Sequence, residues 1–308
     1  MRSVYCNWAP QFLRKGVRRE VPADVISLLT TPVVLLNGDE PVSLGTGFYW
    51  AVESKLLFLV TNYHVLTGCA PTDNKPHKGD SITIQLHNSG TEPKNAVTIR
   101  VPLYTGSGKP VFLTSPSYPE ADLAVIPLPP KLCANARVSR VWCLDKEWTQ
   151  NSLKVRPASE ITLVGYPYGF YDSVNMLPIY KTGNVATEPD FDFLGKPVFL
   201  VDVSAFPGMS GSPVFAIAYG VYEAEDGSTT VGGARRFLGV YASQQVREEN
   251  RFLEEIDVGE APQRLGIRYR ESLELGYVWK AKLIVELTEA LDVRAYEQEV
   301  LGDLPRDI

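Results

Sequence analysis

The sequence predicts an all-β fold, and three observations carry that prediction. Short apolar runs rich in β-branched and aromatic residues recur along the chain, turn residues punctuate the gaps, and only one long stretch has helical periodicity. The runs are Val33–Leu36, Thr46–Ala51, Leu56–Thr61, Ser81–Leu86, Val97–Val101, Asp122–Ile126, Ile161–Val164, Ile179–Thr182, Val198–Asp202, Val214–Ala218, Phe237–Tyr241 and Leu275–Trp279. Strands in series, without helices between them, fit a sandwich or barrel rather than alternating α/β units. The turns come from 24 glycines and 23 prolines spread along the chain. The helical exception is Ala281–Leu291, where Leu283, Ile284, Leu287 and Leu291 share one face.

Composition sets the outer bounds. With 308 residues, 44% hydrophobic and 21% charged, the chain fits one large domain or two small ones around a substantial core. A net charge of −6 and a pI near 5.3 disfavour nucleic acid as a partner, because an acidic surface repels phosphate. The longest apolar runs, such as Leu56–Val60 and Leu123–Leu128, fall far short of the roughly 20 residues that a bilayer needs, so no membrane partner is expected. Met1–Glu20 carries Arg14, Lys15, Arg18 and Arg19 but no apolar stretch, which reads as a solvated basic arm without a secretory signal. Cys6, Cys69, Cys133 and Cys143 have neither CxxC nor zinc-finger spacing, and are read as buried thiols of a cytoplasmic protein. Neither a metal nor a cofactor is expected. The segment Pro129–Leu153 divides the strand series roughly in half.

Chemistry is suggested by three short segments. There are only three histidines. His77 and His87 lie in polar surroundings and read as ordinary residues, whereas His64, in Thr61-Asn62-Tyr63-His64-Val65, stands where an apolar strand ends. In Gly208-Met209-Ser210-Gly211-Ser212-Pro213, glycines flank Ser210. A serine hydroxyl needs a base to become a nucleophile, and the oxyanion that follows needs backbone N–H donors, which a glycine-flanked turn can aim at one spot. In Ala121-Asp122-Leu123-Ala124-Val125, a carboxylate opens an apolar run, and histidine is its natural partner.

In that order these segments resemble the trypsin-like (chymotrypsin-fold) serine proteases, in particular bacterial HtrA-type and stand-alone members. Gly45-Thr46-Gly47-Phe48 resembles the strand that precedes the family's histidine, and Asp202 and Pro207 also fit the HtrA-type pattern. The resemblance runs from about Val33 to Leu291 and implies two six-stranded antiparallel β-barrels with the site between them. It implies that His64 is the base, Asp122 its orienting acid and Ser210 the nucleophile, with the backbone N–H groups of Gly208 and Ser210 as the oxyanion hole. It also places Ser204 at the base of the pocket for the residue before the scissile bond. Gly239, Val240 and Tyr241 would lie on the strand that pairs with substrate backbone, and Tyr277 on the far pocket wall. The expected division is a basic arm over 1–24, a first barrel over 25–130, a linker over 131–155, a second barrel over 156–280, and a helix with tail over 281–308.

Departures from the family pattern shape the functional expectation. Met209 stands where the zymogen branch has an aspartate that pairs with a freshly cut N-terminus, so activation by that route is not expected. Ser212 replaces a glycine. Ser204 is not the carboxylate that would select Lys or Arg, which points to a small or apolar residue before the scissile bond. Tyr219–Arg236 and Gln244–Glu274 read as long loops that gate the cleft or bind a regulatory protein. About thirty residues follow the last strand, too few for a PDZ domain. The expected function is therefore an intracellular serine endopeptidase acting on protein or peptide substrates and regulated by a partner or by loop ordering. The competing reading is a catalytically latent trypsin-fold adaptor within a larger stress or antiviral complex.

Overall fold

A computed structural model describes residues 5–7, 23–53, 56–88, 92–129, 135–138, 140–253, 265–292 and 296, with the side chains of 5–7, 243–253 and 265–272 outside the description. The basic arm, Cys6 as a thiol, and Cys133 lie outside it.

A short strand, β1 (Tyr5–Asn7), is followed by helix α1 (Val25–Leu29). Asp24 caps α1 by accepting from the Ile26 N–H at 2.9 Å. The chain then forms β2 (Thr30–Asn37), β3 (Glu40–Val52) and β4 (Leu56–Thr61). A one-turn helix, α2 (Tyr63–Thr67), leads on to β5 (Ser81–Leu86), β6 (Val97–Pro102) and β7 (Ala124–Leu128). These strands make a curled antiparallel sheet of order β6-β5-β2-β3-β4-β7. Its strands are among the predicted runs because their apolar residues must be covered: Leu57 to Val60 of β4 are fully buried. β8 (Arg140–Trp142) pairs with β1.

The second unit comprises β9 (Glu160–Gly165), β10 (Ile179–Val185), β11 (Val198–Asp202) and β12 (Pro213–Ala218). A small hairpin of β13 (Val221–Glu223) and β14 (Thr229–Val231) precedes the long strands β15 (Ala234–Leu253) and β16 (Leu265–Lys280). Six of these strands close a barrel in the order β10-β11-β16-β15-β12-β9. Helix α3 (Lys282–Glu289) ends the described chain apart from a few residues, and buries Leu283, Ile284 and Leu287 as its periodicity demands. Each such side chain contributes about 1.5–3 kcal/mol by leaving water.

The fold is thus the predicted all-β, chymotrypsin-like one, with three differences. The first unit is a curled six-stranded sheet, while the second is a closed barrel. Asp122 lies in a loop, because β7 begins at Ala124. The two expected long loops are largely strand: 219–236 holds the β13–β14 hairpin, and β15 and β16 run on beyond the barrel with Leu253 opposite Leu265.

An aromatic layer joins the two units. Phe237 of β15 meets Phe48 at 5.3 Å, Phe215 at 5.6 Å and Trp50 at 6.0 Å between ring centroids. Arg235 of β15 donates to both carboxylate oxygens of Asp24, at 2.9 and 2.5 Å. Cys69 and Cys143 are buried free thiols. Among the described residues, no helix is long and apolar enough to cross a membrane.

His87, which reads as an ordinary polar-segment residue, is in fact buried at the end of β5, and burial holds its imidazole below the usual value of 6.5. The unfolded chain therefore binds more protons than the native one as pH falls through 6.5, so stability rises with pH across that window. Thermal melts taken from about pH 7 down to about pH 5 should show a loss of stability that is smaller in His87→Gln. Identical pH slopes would assign the loss to other groups.

Candidate active site

Strand pairing builds the first half of the site. β4 and β7 are adjacent, with Thr61 opposite Ala124, so the residues just beyond each strand end meet. After Thr61 the chain turns at Asn62 into α2, which presents His64 to the loop that holds Asp122. His64 Nδ1 donates to Asp122 Oδ2 at 2.6 Å, and the His64 backbone N–H donates to Asp122 Oδ1 at 3.0 Å. Asn62 Nδ2 donates to the Asp122 carbonyl at 2.5 Å. A carboxylate can only accept from Nδ1, so Nε2 is left with its lone pair free to take a proton.

Close approach of backbones builds the second half. Gly208 has φ +95°, and a Cβ there would lie 2.3 Å from the Tyr166 carbonyl oxygen. Gly211 has φ +88°, and its Cβ would lie 1.9 Å from the Thr46 carbonyl oxygen. Only glycine satisfies both constraints at either position. Within the turn, the Met209 N–H donates to Phe206 O at 3.0 Å. The N–H groups of Gly208 and Ser210 have no acceptor among the described residues. Those two donors are the pair expected to face an oxyanion.

Thr46, on β3 of the opposite unit, holds this turn at two points. Its N–H donates to Ser210 O at 2.8 Å, and its Oγ1 donates to Gly208 O at 2.7 Å. Oγ1 also accepts from the Tyr166 N–H at 3.1 Å, while Thr61 Oγ1 donates to Thr46 O at 2.6 Å. Both carbonyls of the turn are thereby pulled towards the first unit, and their peptide planes are fixed. Ser212 fits beside it because Gly165 lacks a side chain: a Cβ at Gly165 would stand 2.2 Å from Ser212 Oγ. Met209 is fully buried in the apolar cluster of Val203, Ala205 and Val214.

The Ser210 hydroxyl donates to the Ala242 carbonyl at 2.8 Å, and this, rather than a bond to His64, is its contact among the described residues. Ala242 is also where β15 departs from the expected role of its neighbours. Gly239 is opposite Val214 on one side and Lys280 on the other, and Val240 is opposite Pro213 and Trp279. Tyr241 exchanges backbone bonds with the Ser210 turn, receiving from Gly211 N at 2.8 Å and donating to Ser212 O at 3.0 Å. With both edges engaged, Gly239, Val240 and Tyr241 have no edge left for a substrate strand, and the first β15 residue past these pairings is Ala242. Ser204 is half-buried between buried Val203 and Ala205. Tyr277 packs outside the barrel, against the cluster of Trp279 and Leu283, so the wall position inside the barrel belongs to Gly276 and Val278.

Sequence reasoning missed Thr46 and Asn62 as positioning residues, although both stand inside the motifs it quoted. It also missed an exposed aromatic pair beside Gly208: Tyr168 and Phe206 are 5.7 Å apart, and Lys181 Nζ lies 4.4 Å above the Phe206 ring. Among the described residues, no three His, Cys, Asp or Glu side chains converge as a metal site.

The family model for the trypsin-like peptidase domain matches residues 45–221, more than half of the chain. The chain belongs to the trypsin-like peptidase family. Among solved structures, this peptidase is similar to the serine endoprotease from Yersinia pestis, at 13% identity and a TM-score of 0.42 over 88% of this chain and 67% of that one. An inactive mutant form of Rv3671c from M. tuberculosis H37Rv matches at 15% identity and 0.41, over 87% and 90%. The thermostable serine protease AL20 from an extremophilic microorganism matches at 11% and 0.40, over 72% and 88%. No curated protein is similar enough in sequence to match. The HtrA-type subclass has no support beyond the motifs themselves.

Thr46→Val keeps the shape of the side chain but leaves Gly208 O and Tyr166 N–H unpaired, at about 1–3 kcal/mol. Peptidase assays should show kcat reduced by about 10–100-fold with KM changed far less, and Thr46→Ser should restore most of kcat. A loss of kcat that disappears once rates are normalised to the probe-titrated fraction of folded enzyme would mean that the clamp only supports folding.

Proposed function

We propose that the chain is a serine endopeptidase that cleaves peptide bonds through an acyl-enzyme, with Ser210 as nucleophile, His64 as base and Asp122 as orienting acid. The observation that carries this reading is the double hold of Asp122 on His64, at 2.6 and 3.0 Å, which leaves Nε2 as a free base.

In the forward step, Nε2 takes the Ser210 proton as Oγ bonds to the substrate carbonyl carbon. The carbonyl oxygen gains the negative charge and is met by the N–H groups of Gly208 and Ser210. Collapse breaks the C–N bond, and the imidazolium gives its proton to the leaving amine. Water then repeats the sequence against the ester, with His64 again as base, and releases the acid and the free serine. Before the first step the hydroxyl must leave the Ala242 carbonyl. A substrate N–H that claims that carbonyl releases Oγ towards His64, so binding and nucleophile release are coupled.

The second reading is a latent trypsin-fold module whose serine is armed only within a complex. The bond from Ser210 Oγ to Ala242 O, in place of one to His64, is what favours it. A cytoplasmic site of action is consistent with the buried free thiols Cys69 and Cys143. A regulatory protein partner is in keeping with Met209, since an apolar side chain in that position offers no carboxylate to an activating ammonium group.

A fluorophosphonate probe should label the wild-type chain and not Ser210→Ala, and His64→Ala should lower kcat by at least about 10³-fold. An unlabelled wild type at neutral pH would favour the latent module if an added cell extract restores labelling, and would end the peptidase reading if it does not.

A further inference from the structure

We propose that the Tyr241 ring fills the primary side-chain pocket beside Ser210 and restricts the residue that donates the scissile carbonyl to glycine, alanine or serine. The inference rests on the serine-peptidase reading and goes further, naming the substrate class and the residue that selects it.

A substrate with its carbonyl carbon at Ser210 Oγ and its oxygen at the N–H groups of Gly208 and Ser210 directs its side chain towards the end of the barrel. The resemblance to the trypsin-like peptidases implies that this space lies between the turn bearing Ser204 and the paired strands β15 and β16. Three observations show that a protein side chain already stands in it. Tyr241 is fastened at both its N–H and its carbonyl to the nucleophile turn, so its Cα cannot move without moving Ser210. Its ring lies over Gly276: a Cβ on that glycine would be 2.3 Å from the ring's Cε2 and 3.2 Å from Cδ2 and Cζ. And Tyr241 is only 2% exposed, a member of one buried apolar cluster with Val203, Ala205, Met209 and Val278.

Gly276 is therefore not an open pocket wall; its missing side chain is replaced by an aromatic ring supplied from the opposite strand. The β-bulge explains why the ring is held there. Tyr241 is opposite Val278 but the next pair is Gln244 with Gly276, so β15 carries one extra residue between them and bends at that point. A leucine or phenylalanine side chain of a substrate would have to displace the ring from a close-packed cluster, and overpacking of that kind is strongly disfavoured. A lysine or arginine would bury a charge against the apolar Val203, Ala205 and Met209 with no carboxylate among them. A methyl or hydroxymethyl group needs neither change.

The test uses the full chain and matched fluorogenic peptides that differ only in the residue before the scissile bond. Wild type should cleave the alanine peptide with kcat/KM at least about 100-fold above the leucine, phenylalanine and lysine peptides. Tyr241→Val should raise leucine or phenylalanine cleavage relative to alanine by about 10-fold or more. Wild-type cleavage of leucine, phenylalanine or lysine as fast as alanine overturns the proposal, as does an unchanged ratio in a folded Tyr241→Val. Should that variant not fold, wild-type inactivation by alanine- and phenylalanine-type phosphonate esters decides, with faster reaction of the phenylalanine ester overturning it. Probe labelling of Ser210 separates the two levels: a labelled serine with a preference for large residues sinks the pocket alone, while an unlabelled serine sinks both.

Discussion

The geometry of the candidate site depends on one threonine that joins the two units. His64 and Asp122 are fixed within the first unit, by the pairing of β4 with β7. Ser210 belongs to a turn of the second unit, between β11 and β12. What sets one against the other is Thr46, whose N–H and hydroxyl hold the carbonyls of Ser210 and Gly208. A net hydrogen bond is worth only about 0.5–1.5 kcal/mol, but a buried partner left unpaired costs more, so the clamp resists being opened. Packing alone would not give this precision. The aromatic layer of Phe48, Trp50, Phe215 and Phe237 presses the units together, yet ring contacts tolerate small slips that directed N–H and O–H bonds do not.

The clamp in turn dictates the composition of the turn it holds. Drawing Thr46 O to within contact of residue 211 leaves no room for a Cβ there, and the same holds for residue 208 beneath Tyr166. The freed volume is reused nearby. Ser212 takes the space that Gly165 leaves, so a serine in place of the family's glycine does not push the turn away from Thr46. The two N–H groups left without acceptors share peptide planes with the Pro207 and Met209 carbonyls, which accept from the Tyr168 N–H at 2.6 Å and the Ser212 N–H at 3.0 Å, and fixing one side of each plane fixes the direction of the other.

Much of this could be read from the chain, but unevenly. The strands of the first sheet and the barrel were legible because their buried faces require apolar runs, and α3 because its leucines repeat on one face. His64 and Ser210 were legible because glycine and strand-end context single them out. Thr46 was not: it reads as one more β-residue in an apolar strand, and its role exists only once the second unit is docked. Tyr241 was assigned to backbone pairing because its strand was recognisable while its register was not. The outer parts of β15 and β16 read as a charged loop, since Arg247, Glu248 and Glu249 give no apolar alternation. Only the hairpin register places Arg247 opposite Glu271 and Glu248 opposite Arg270. His87 was hidden as well, because the polar residues around it in sequence give no sign that it is buried.

The bulge after Tyr241 brings these threads to one place. It turns the Tyr241 ring towards Gly276 and, one residue on, leaves the Ala242 carbonyl with the Ser210 hydroxyl as its partner. The ring over Gly276 and the carbonyl that holds the Ser210 hydroxyl therefore belong to consecutive residues of one bent strand. That strand continues outward as the long ribbon with β16. A peptidase with Met209 in the position of a zymogen aspartate needs a restraint of another kind. Under the proposed function, the hydroxyl held on the Ala242 carbonyl would provide one, because a substrate N–H that claims that carbonyl would release the serine by the same contact that recognises the peptide.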